Sequence, residues 1–315
     1  MTDKPLAAPA SPLSYDNRIS LQKLEVLCLV VELGGVTVAA DHLWVAQSVV
    51  SGHLRSLQDR LGVQVLYRDG QQMKLTEAGE RVYQWATETL SRTRDLMRDL
   101  HEVESGHLSI AASLAVGNYL LPPVLAAFRQ EWPGSAITMS VSDPEETFAL
   151  VEKGRCDLGI IIAETGHEHP HLRSEVIGHE EILLVTGPTS LPGVEAVSLT
   201  ELASLALVAP SAGTVPREAV DRQLADLGSS PQNVVMELGH PEAMKRVIRS
   251  GIDACLLFRS CVEDDLKQGT LREIALTDTK LSLPVLSIEH TERPRRQIQD
   301  QLIEQTRAYL AARTT

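Results

Sequence analysis

The 315-residue sequence predicts an α+β multidomain protein, with a small helical domain, a long connecting helix and a larger two-lobed α/β domain. Three observations predict this class. Apolar residues recur at helical spacing near the N-terminus, a stretch of heptad-like spacing follows, and strand-like and helix-like segments then alternate in two rounds of similar size. With 43% hydrophobic and 23% charged residues, the composition is that of a folded globular chain.

The N-terminal segment predicts three short helices. The first begins after the N-cap candidate Ser20 and ends at Gly34-Gly35. Thr37 is the expected cap of the second helix, and the third covers about residues 47–61. Two short helices joined by a tight turn form a helix-turn-helix, whose second helix fits the major groove of DNA.

A hairpin and a long helix are predicted next. Apolar runs on either side of Asp69-Gly70 are typical of a hairpin, here a candidate wing. Thr76 is expected to cap a helix that continues to about Glu104. An exposed apolar seam needs a partner, so this helix predicts a dimer; packing on its own domain is the alternative. The heptad-like positions are Val82, Trp85, Thr89, Leu96, Leu100 and Val103.

From Gly106 onward the sequence alternates between strands and helices, which favours parallel sheets. The first round is LSIAAS, YLLPPVLAAFRQEW, AITMSVS, FALVEKG and CDLGIII. The second begins at ILLVTG and continues through LALVAP, a helix over 217–227, VVMEL, a helix over 241–250 and ACLLF. The two rounds predict two lobes with a cleft between them.

The order and spacing of these motifs resemble the LysR-type transcriptional regulators over nearly the whole chain. The shared pieces are the Gly-x-x-Thr-x-Ala-Ala start of the second helix, the 47–51 opening of the third, LGVQVLYR, LTEAGE, GNYLLPPVLAAFRQEWPG, GRCDLGI and Gly251-x-Asp253. The resemblance implies a winged helix-turn-helix and an effector domain like a periplasmic binding protein. It also implies a dimer or tetramer on double-stranded promoter DNA, with RNA polymerase as a further candidate partner.

The resemblance also divides the chain into domains. It implies a tail over 1–19, a winged helix-turn-helix over 20–79, a linker and dimerisation helix over 80–105, and an effector domain over 106–315. Within the last, lobe I would comprise 106–182 and 286–315, and lobe II would comprise 183–285.

Six residues are candidates for DNA contact. In the third helix, glutamine can make two bonds to adenine and arginine two bonds to guanine, while a threonine and an arginine outside it suit the phosphate backbone. The alternatives are a solvated helix face, a helix cap and a surface charge. The candidates are Gln47, Ser48, Ser51, Arg55, Thr37 and Arg68.

The segment over 46–52, at the start of the third predicted helix, departs from the family pattern. Ala46 stands where serine is common, Ser48 replaces a proline and can itself cap the helix, and Gly52 replaces an arginine. A mid-helix glycine costs about 1 kcal/mol relative to alanine. A small-molecule sensor with weakened DNA binding is therefore an alternative function. Asp253 stands where the family usually has a second glycine.

The resemblance and the carboxyl ends of the predicted strands point to an effector site in the cleft. Hydroxyls and backbone N–H groups there can bind a small anion or metabolite, and the alternative is that they only cap helices. No cofactor is expected, and the effector is unidentified. The candidate residues are Ser113, Ser142, Pro210, Ser211, Thr214, His240 and Phe258.

The cysteines and histidines do not favour a redox site or a metal site, although both are kept as alternatives. The four cysteines have no CxxC spacing. Cys255 lies in an apolar run and is expected to pack in the core, with a redox pair of Cys255 and Cys261 as the alternative. The histidines His167, His169 and His171 alternate and could bind a metal, but Pro170 favours an exposed loop.

Charge and the remaining motifs limit the function classes. The net charge of −13 argues against a general nucleic-acid coat, but residues 1–105 carry 11 basic and 14 acidic side chains and so permit local DNA binding. No apolar run suits a membrane span and no signal peptide is recognisable, so a cytoplasmic protein without membrane partners is expected. No catalytic signature is present, and an enzyme using the cleft is the less favoured alternative.

Overall fold

A computed structural model describes residues 19–70, 72–102, 106–164, 169–229, 232–252, 254–277 and 279–313. The chain divides into two compact units, Met1–Asp99 and Leu100–Thr315. Residues 1–18 of the predicted tail, Val103, His167 and Asp253 lie outside the described residues. Within the described part, no helix is both long enough and apolar enough to cross a membrane.

The N-terminal unit contains the predicted helix-turn-helix, hairpin and long helix. Its buried core comes from the faces that the helical spacing predicts, including Leu27, Val50 and Leu57. The two strands of the hairpin pair antiparallel. The elements are α1 (Leu21–Glu32), α2 (Val36–His42), α3 (Gln47–Leu61), β1 (Leu66–Asp69), β2 (Gln72–Leu75) and α4 (Glu77–Glu102).

The helix caps differ in part from the prediction. Thr76 does cap α4, since its Oγ1 accepts a hydrogen bond from the Gly79 N–H at 2.9 Å. Thr37 does not cap α2, because the helix already begins at Val36 and Gly35 is its N-cap. Ser48 likewise lies inside α3. The N-cap position of this helix is Ala46, whose side chain makes no capping hydrogen bond. Ser20 occupies the N-cap position of α1 without a side-chain hydrogen bond.

The long helix α4 uses its apolar residues in two ways. Val82 packs against the core of its own unit together with Ala86 and Leu90, as the alternative interpretation expected. Trp85 and Leu96 are exposed. One apolar face of α4 therefore belongs to the fold, and a second faces away from it.

Close backbone packing fixes the start of α4. A Cβ atom built on Gly79 would lie 2.0 Å from the carbonyl oxygen of Val65. Only glycine permits α4 to approach the chain entering β1 this closely.

The C-terminal unit is a mixed α/β structure. A π-helical turn over Val116–Leu120 precedes its first α-helix. The elements are β3 (His107–Ala112), α5 (Leu121–Glu131), β4 (Ala136–Val141), α6 (Pro144–Glu152), β5 (Leu158–Ile162), β6 (Leu172–Thr186), β7 (Ala196–Val197), α7 (Leu199–Leu202), β8 (Leu207–Ala209), α8 (Val215–Asp226), β9 (Val234–Glu237), α9 (Pro241–Arg249), β10 (Ala254–Phe258), α10 (Arg259–Gln268), β11 (Arg272–Leu276), β12 (Leu281–His290) and α11 (Gln297–Arg313).

Two parallel strand triplets form the two lobes, as the alternating pattern predicts. Their orders are β4-β3-β5 in lobe I and β10-β8-β9 in lobe II. The long strands β6 and β12 join the triplets by antiparallel pairing. The expectation that ILLVTG opens a new parallel round is therefore wrong, because residues 182–186 form the C-terminal end of β6, which pairs antiparallel. The sequence-based lobe boundaries at 182/183 and 285/286 fall inside β6 and β12.

The C-terminal helix α11 returns to lobe I. It packs against α5 and β6, and Leu302 and Ile303 are buried there. The Gln299 side-chain amide donates to the Asp157 carbonyl at 2.9 Å. Lobe I is thus assembled from two distant parts of the chain.

Candidate functional site

The N-terminal end of α3 is an exposed surface. Every residue from Trp44 to Val49 is exposed, and the buried side of the helix begins at Val50. Gln47 and Ser48 therefore lie in the first turn with their side chains available to a partner. The indole of Trp44 is 94% exposed, and its φ of 55° is rare for a bulky residue.

The other candidates on α3 follow the same side of the helix. Ser51 is half-buried and Arg55 is exposed, whereas Leu54 is buried on the opposite side. Spacings of three and four residues align Ser48, Ser51 and Arg55 along one face. Gly52 adjoins this face with open space around its Cα, so α3 can accommodate a side chain there.

The remaining two DNA candidates lie on α2 and the hairpin. Thr37 is exposed in the first turn of α2. Arg68 is exposed on β1, and its Nε donates to the Gly70 carbonyl at 3.0 Å, so it also holds the hairpin turn. Lys74 on β2, which the sequence analysis missed, adds a second cation and pairs with Asp69 at 2.6 Å.

The C-terminal unit contains a cavity of about 700 Å³ between its two lobes. All seven residues proposed for effector binding line it, although they come from both lobes. The carboxyl ends of strands β3, β4, β8 and β10 open onto it, as expected for a ligand crevice in an α/β protein. Most of the remaining wall is aliphatic, including Val208, Met244 and Leu257. Such a wall suits a small ligand with an apolar body.

Two serines form the lobe I side of the cavity. The Ser113 hydroxyl accepts a hydrogen bond from the Ile162 N–H at 3.2 Å, which leaves its own proton to offer. Ser142 and Thr147 share a 2.9 Å hydroxyl contact, and Thr147 donates to the Asp143 carbonyl. Because a hydroxyl has one proton, Ser142 must donate to Thr147, and it presents lone pairs to the cavity.

The lobe II side places two helix starts on the cavity. Thr214 precedes α8, and its hydroxyl donates to the Ser211 carbonyl at 2.7 Å. His240 caps α9, because its Nδ1 accepts from the Glu242 N–H at 3.2 Å. This cap occupies the lone pair of Nδ1.

The sequence analysis missed Arg217, a cationic residue that lines the cavity. Its guanidinium binds Asp221 at 2.6 Å, the Pro210 carbonyl at 3.2 Å and Glu237 at 3.4 Å. It therefore braces the 210–214 loop. The sequence offered one signal for Arg217: it lies in the first turn of α8, where the helix dipole makes basic residues uncommon.

The cysteine and histidine alternatives receive no support from the described residues. Burial raises the pKa of the Cys255 thiol far above its usual value and that of Cys261 to about 12, so neither is a reactive thiolate near neutral pH. His169 stacks on Phe148, and His171 stacks on His290. No group of three metal-ligating side chains occurs in the described part of the chain.

Two family models match the chain. Residues 21–80 match the bacterial regulatory helix-turn-helix protein, lysR family, and residues 101–311 match the LysR substrate binding domain. The uncharacterized HTH-type transcriptional regulator YeiE of Escherichia coli (strain K12) is 32% identical over 280 residues, covering 87% of this chain and 92% of that protein. A probable RuBisCO transcriptional regulator of Trieres chinensis is 26% identical over 278 residues, covering 85% and 90%.

Solved structures share the fold. Full-length CbnR complexed with its target DNA has a TM-score of 0.65 at 20% identity, with 92% of this chain and 100% of that chain covered. A full-length OxyR variant from Pseudomonas aeruginosa has a TM-score of 0.68 at 16% identity, with 93% and 94% covered. The helix-turn-helix, the two-lobed unit and the two family matches together show that this chain belongs to the LysR family of transcriptional regulators.

Proposed function

We propose that this regulator binds double-stranded promoter DNA through α3 and the hairpin, and binds a small-molecule effector in the cavity between its lobes. The observation that supports the effector site is the convergence of seven residues from both lobes on one cavity of about 700 Å³. An effector there can change the molecule only by differential affinity for two lobe arrangements. The cavity would bind its ligand without transforming it, and no cofactor is required.

The assembly and partners of the protein are part of the same proposal. The exposed apolar side chains Trp85, Leu96 and Met97 on α4 would pair with a second copy, giving a dimer or tetramer. A related structure was solved with its target DNA, which supports promoter DNA as the partner. RNA polymerase would be the protein partner at the promoter, and the cytoplasm the compartment.

Footprinting on the DNA that flanks the gene of this protein tests DNA binding. A symmetric footprint, lost steeply as salt rises, is expected because a dimer neutralises several phosphates on two half-sites. If flanking DNA gives no footprint, selection from a random duplex pool tests distant targets. A folded dimer that enriches no sequence in that selection would contradict the proposal.

Replacing Gln47 or Arg55 by alanine is expected to weaken operator binding by about 10- to 100-fold and to relax sequence preference, since each can make a bidentate base contact. Affinity for the selected operator and for one-base variants would be measured by fluorescence anisotropy. Gln22→Ala on α1 and Arg81→Ala on α4 are matched controls, because both side chains are exposed elsewhere in the same unit. Equal affinity in all four variants would place the contact face elsewhere.

A Gly52→Arg variant is expected to bind the operator roughly tenfold more tightly and with a steeper salt dependence, because it adds a cation beside the recognition face. The open space at Gly52 accepts the side chain. Gly52→Ala controls for the gain in helix propensity alone. Equal affinity for the two variants would show that residue 52 does not face DNA.

A further inference from the structure

Tyr119 and Glu242 join the two lobes beside the cavity. The Tyr119 hydroxyl, in the π-helical turn of lobe I, donates to the Glu242 carboxylate at 3.0 Å. Glu242 lies in the first turn of α9 in lobe II, immediately after His240 and Pro241, which both line the cavity. This contact, the Tyr119–Glu242 clasp, therefore adjoins the effector site without being part of its wall.

A buried lysine holds the acceptor of this clasp in place. Lys245 is only 5% exposed, and its ammonium lies 2.5 Å from Glu242, 2.8 Å from Asp265 and 5.4 Å from the centre of the Tyr119 ring. Burial raises the pKa of Glu242, but its hydrogen bonds with Lys245 and Tyr119 outweigh this and lower it below its usual range. Glu242 thus stays ionised at neutral pH and forms a charge-assisted hydrogen bond with Tyr119.

A second polar pair joins the lobes at α8. Arg222 of α8 follows the cavity residue Asp221, and it pairs with Glu164, two residues beyond the cavity residue Ile162 at the end of β5. This pair, the Glu164–Arg222 clasp, is more exposed and therefore weaker than the first. Right-handed crossovers in the order β10-β8-β9 put α8 and α9 on opposite faces of the sheet, so the clasps lie on opposite faces too.

We propose that the two clasps hold the lobes together before any effector binds, with Tyr119 as the main positioning residue. The proposal depends on the proposed function in one respect only. If an effector binds in the cavity, lobes that are already held together reduce the free-energy cost of closing around it. The clasps themselves concern the ligand-free protein. The lobes are also joined by β6 and β12, which are continuous through both and could bend or twist, and by the ion pair of Arg313 on α11 with Glu263 on α10 at 3.1 Å.

Inter-lobe distances in the ligand-free, full-length protein test the proposal. Spin labels at Gln130→Cys on α5 and Asp226→Cys on α8 report lobe I and lobe II, because both positions are exposed and all four native cysteines are buried. Labelled protein is diluted with unlabelled protein, so that pulsed electron spin resonance measures pairs within one chain. The parent protein is expected to show one narrow distance distribution.

Breaking the clasps is expected to populate a second, separated arrangement. Tyr119→Phe should lower the ratio of closed to open molecules roughly fivefold, as for one net hydrogen bond, and the exposed Arg222→Gln about twofold. The double variant should show the product, about tenfold, because both contacts bias the same equilibrium. Tyr83→Phe is the matched control, since its hydroxyl donates to the Glu32 carboxylate at 3.4 Å within the N-terminal unit.

The outcomes distinguish side chains that hold the two lobes together from side chains that only stabilise their own lobe. A side chain that only stabilises its own lobe would lower the unfolding midpoint and leave the distance distribution of folded molecules unchanged. That result in the double variant, or a broad distribution in the parent protein, would overturn the proposal. If Tyr119→Phe does not fold, Glu164→Gln with Arg222→Gln tests the second clasp alone. None of these results depends on whether DNA or an effector binds.

Discussion

A Gly79→Ala variant is expected to destabilise the N-terminal unit by about 3 kcal/mol or more. The new methyl carbon would lie 2.0 Å from the carbonyl oxygen and 2.9 Å from the carbonyl carbon of Val65. Both are backbone atoms, so no side-chain rotation relieves the clash. Either α4 must move away from the chain entering β1, or the Thr76 cap that binds the Gly79 N–H must break. This loss is a large part of the stability of an ordinary domain.

Hydrogen exchange in the full-length protein measures this effect, because amides of α1 and α3 report the N-terminal unit separately from the rest. Gly52→Ala is the matched control: the same substitution in the same unit meets open space and ordinary helical backbone. It is expected to slow exchange by an amount equivalent to about 1 kcal/mol. Equal protection in the two variants would contradict the packing of α4 described above.

An Asp265→Ala variant is expected to destabilise the C-terminal unit by about 3–5 kcal/mol. The Asp265 carboxylate accepts from Lys245 at 2.8 Å and from Thr270 at 2.9 Å, and it also pairs with Arg249. Its removal leaves the buried Lys245 ammonium with Glu242 and a backbone carbonyl as its remaining close partners among the described residues. The cost is that of a buried charge that has lost its main counter-ion.

The pH dependence of this stability has a defined sign. Burial raises the pKa of Asp265, but its hydrogen bonds with Lys245 and Thr270 outweigh this and hold it below its ordinary value. A carboxyl group with a lowered folded-state pKa stabilises fully above its unfolded pKa of about 4, and this contribution is lost as the pH falls through the folded value. The parent and variant should therefore converge in stability under acid conditions.

Denaturant unfolding monitored by exchange in β8 and β10 gives the measurement. Asp226→Ala, an exposed position at the end of α8, is the control for loss of an acidic residue and should cost little. Adding Lys245→Met to Asp265→Ala should restore part of the stability, because it removes a buried ammonium that has kept only one of its two carboxylate partners. A double variant no more stable than Asp265→Ala would show that the ion pair is not the cause.

Local signals were sufficient for much of the DNA-binding unit. The 3.6-residue spacing identified α1 and α3, and the Asp69-Gly70 turn identified the hairpin. The cap at Thr76 followed from its hydroxyl and its position before a long helix. In the C-terminal unit, the rule that ligands meet the carboxyl ends of strands, with the family resemblance, was enough to bring seven residues to one cavity.

Contacts between distant parts of the chain could not be predicted from local sequence patterns. The first half of β6 mixes polar and apolar residues, and its buried positions follow no regular alternation. Its partner β12 lies about a hundred residues later, so no local pattern in either strand predicts their pairing. The pairing of Ile182 with Leu281 follows only from the assembled sheet. Tyr119 and Glu242 were missed for the same reason, because their contact joins two distant parts of the chain. The place of Arg217 in the first turn of α8 was visible in the sequence, but the cavity that it lines exists only in the tertiary fold.

The return of α11 to lobe I determines the order in which the molecule can mature on the ribosome. Within the described residues, the N-terminal core contains nothing beyond Leu90, so it can close early in synthesis. Lobe I needs β12 and also Leu302 and Ile303 of α11, which are made some two hundred residues after Leu90, roughly 10–40 s later at about 5–20 residues per second. Translation therefore completes the DNA-reading part of the chain long before the effector-binding part. A prematurely terminated chain would keep the first and lose the second.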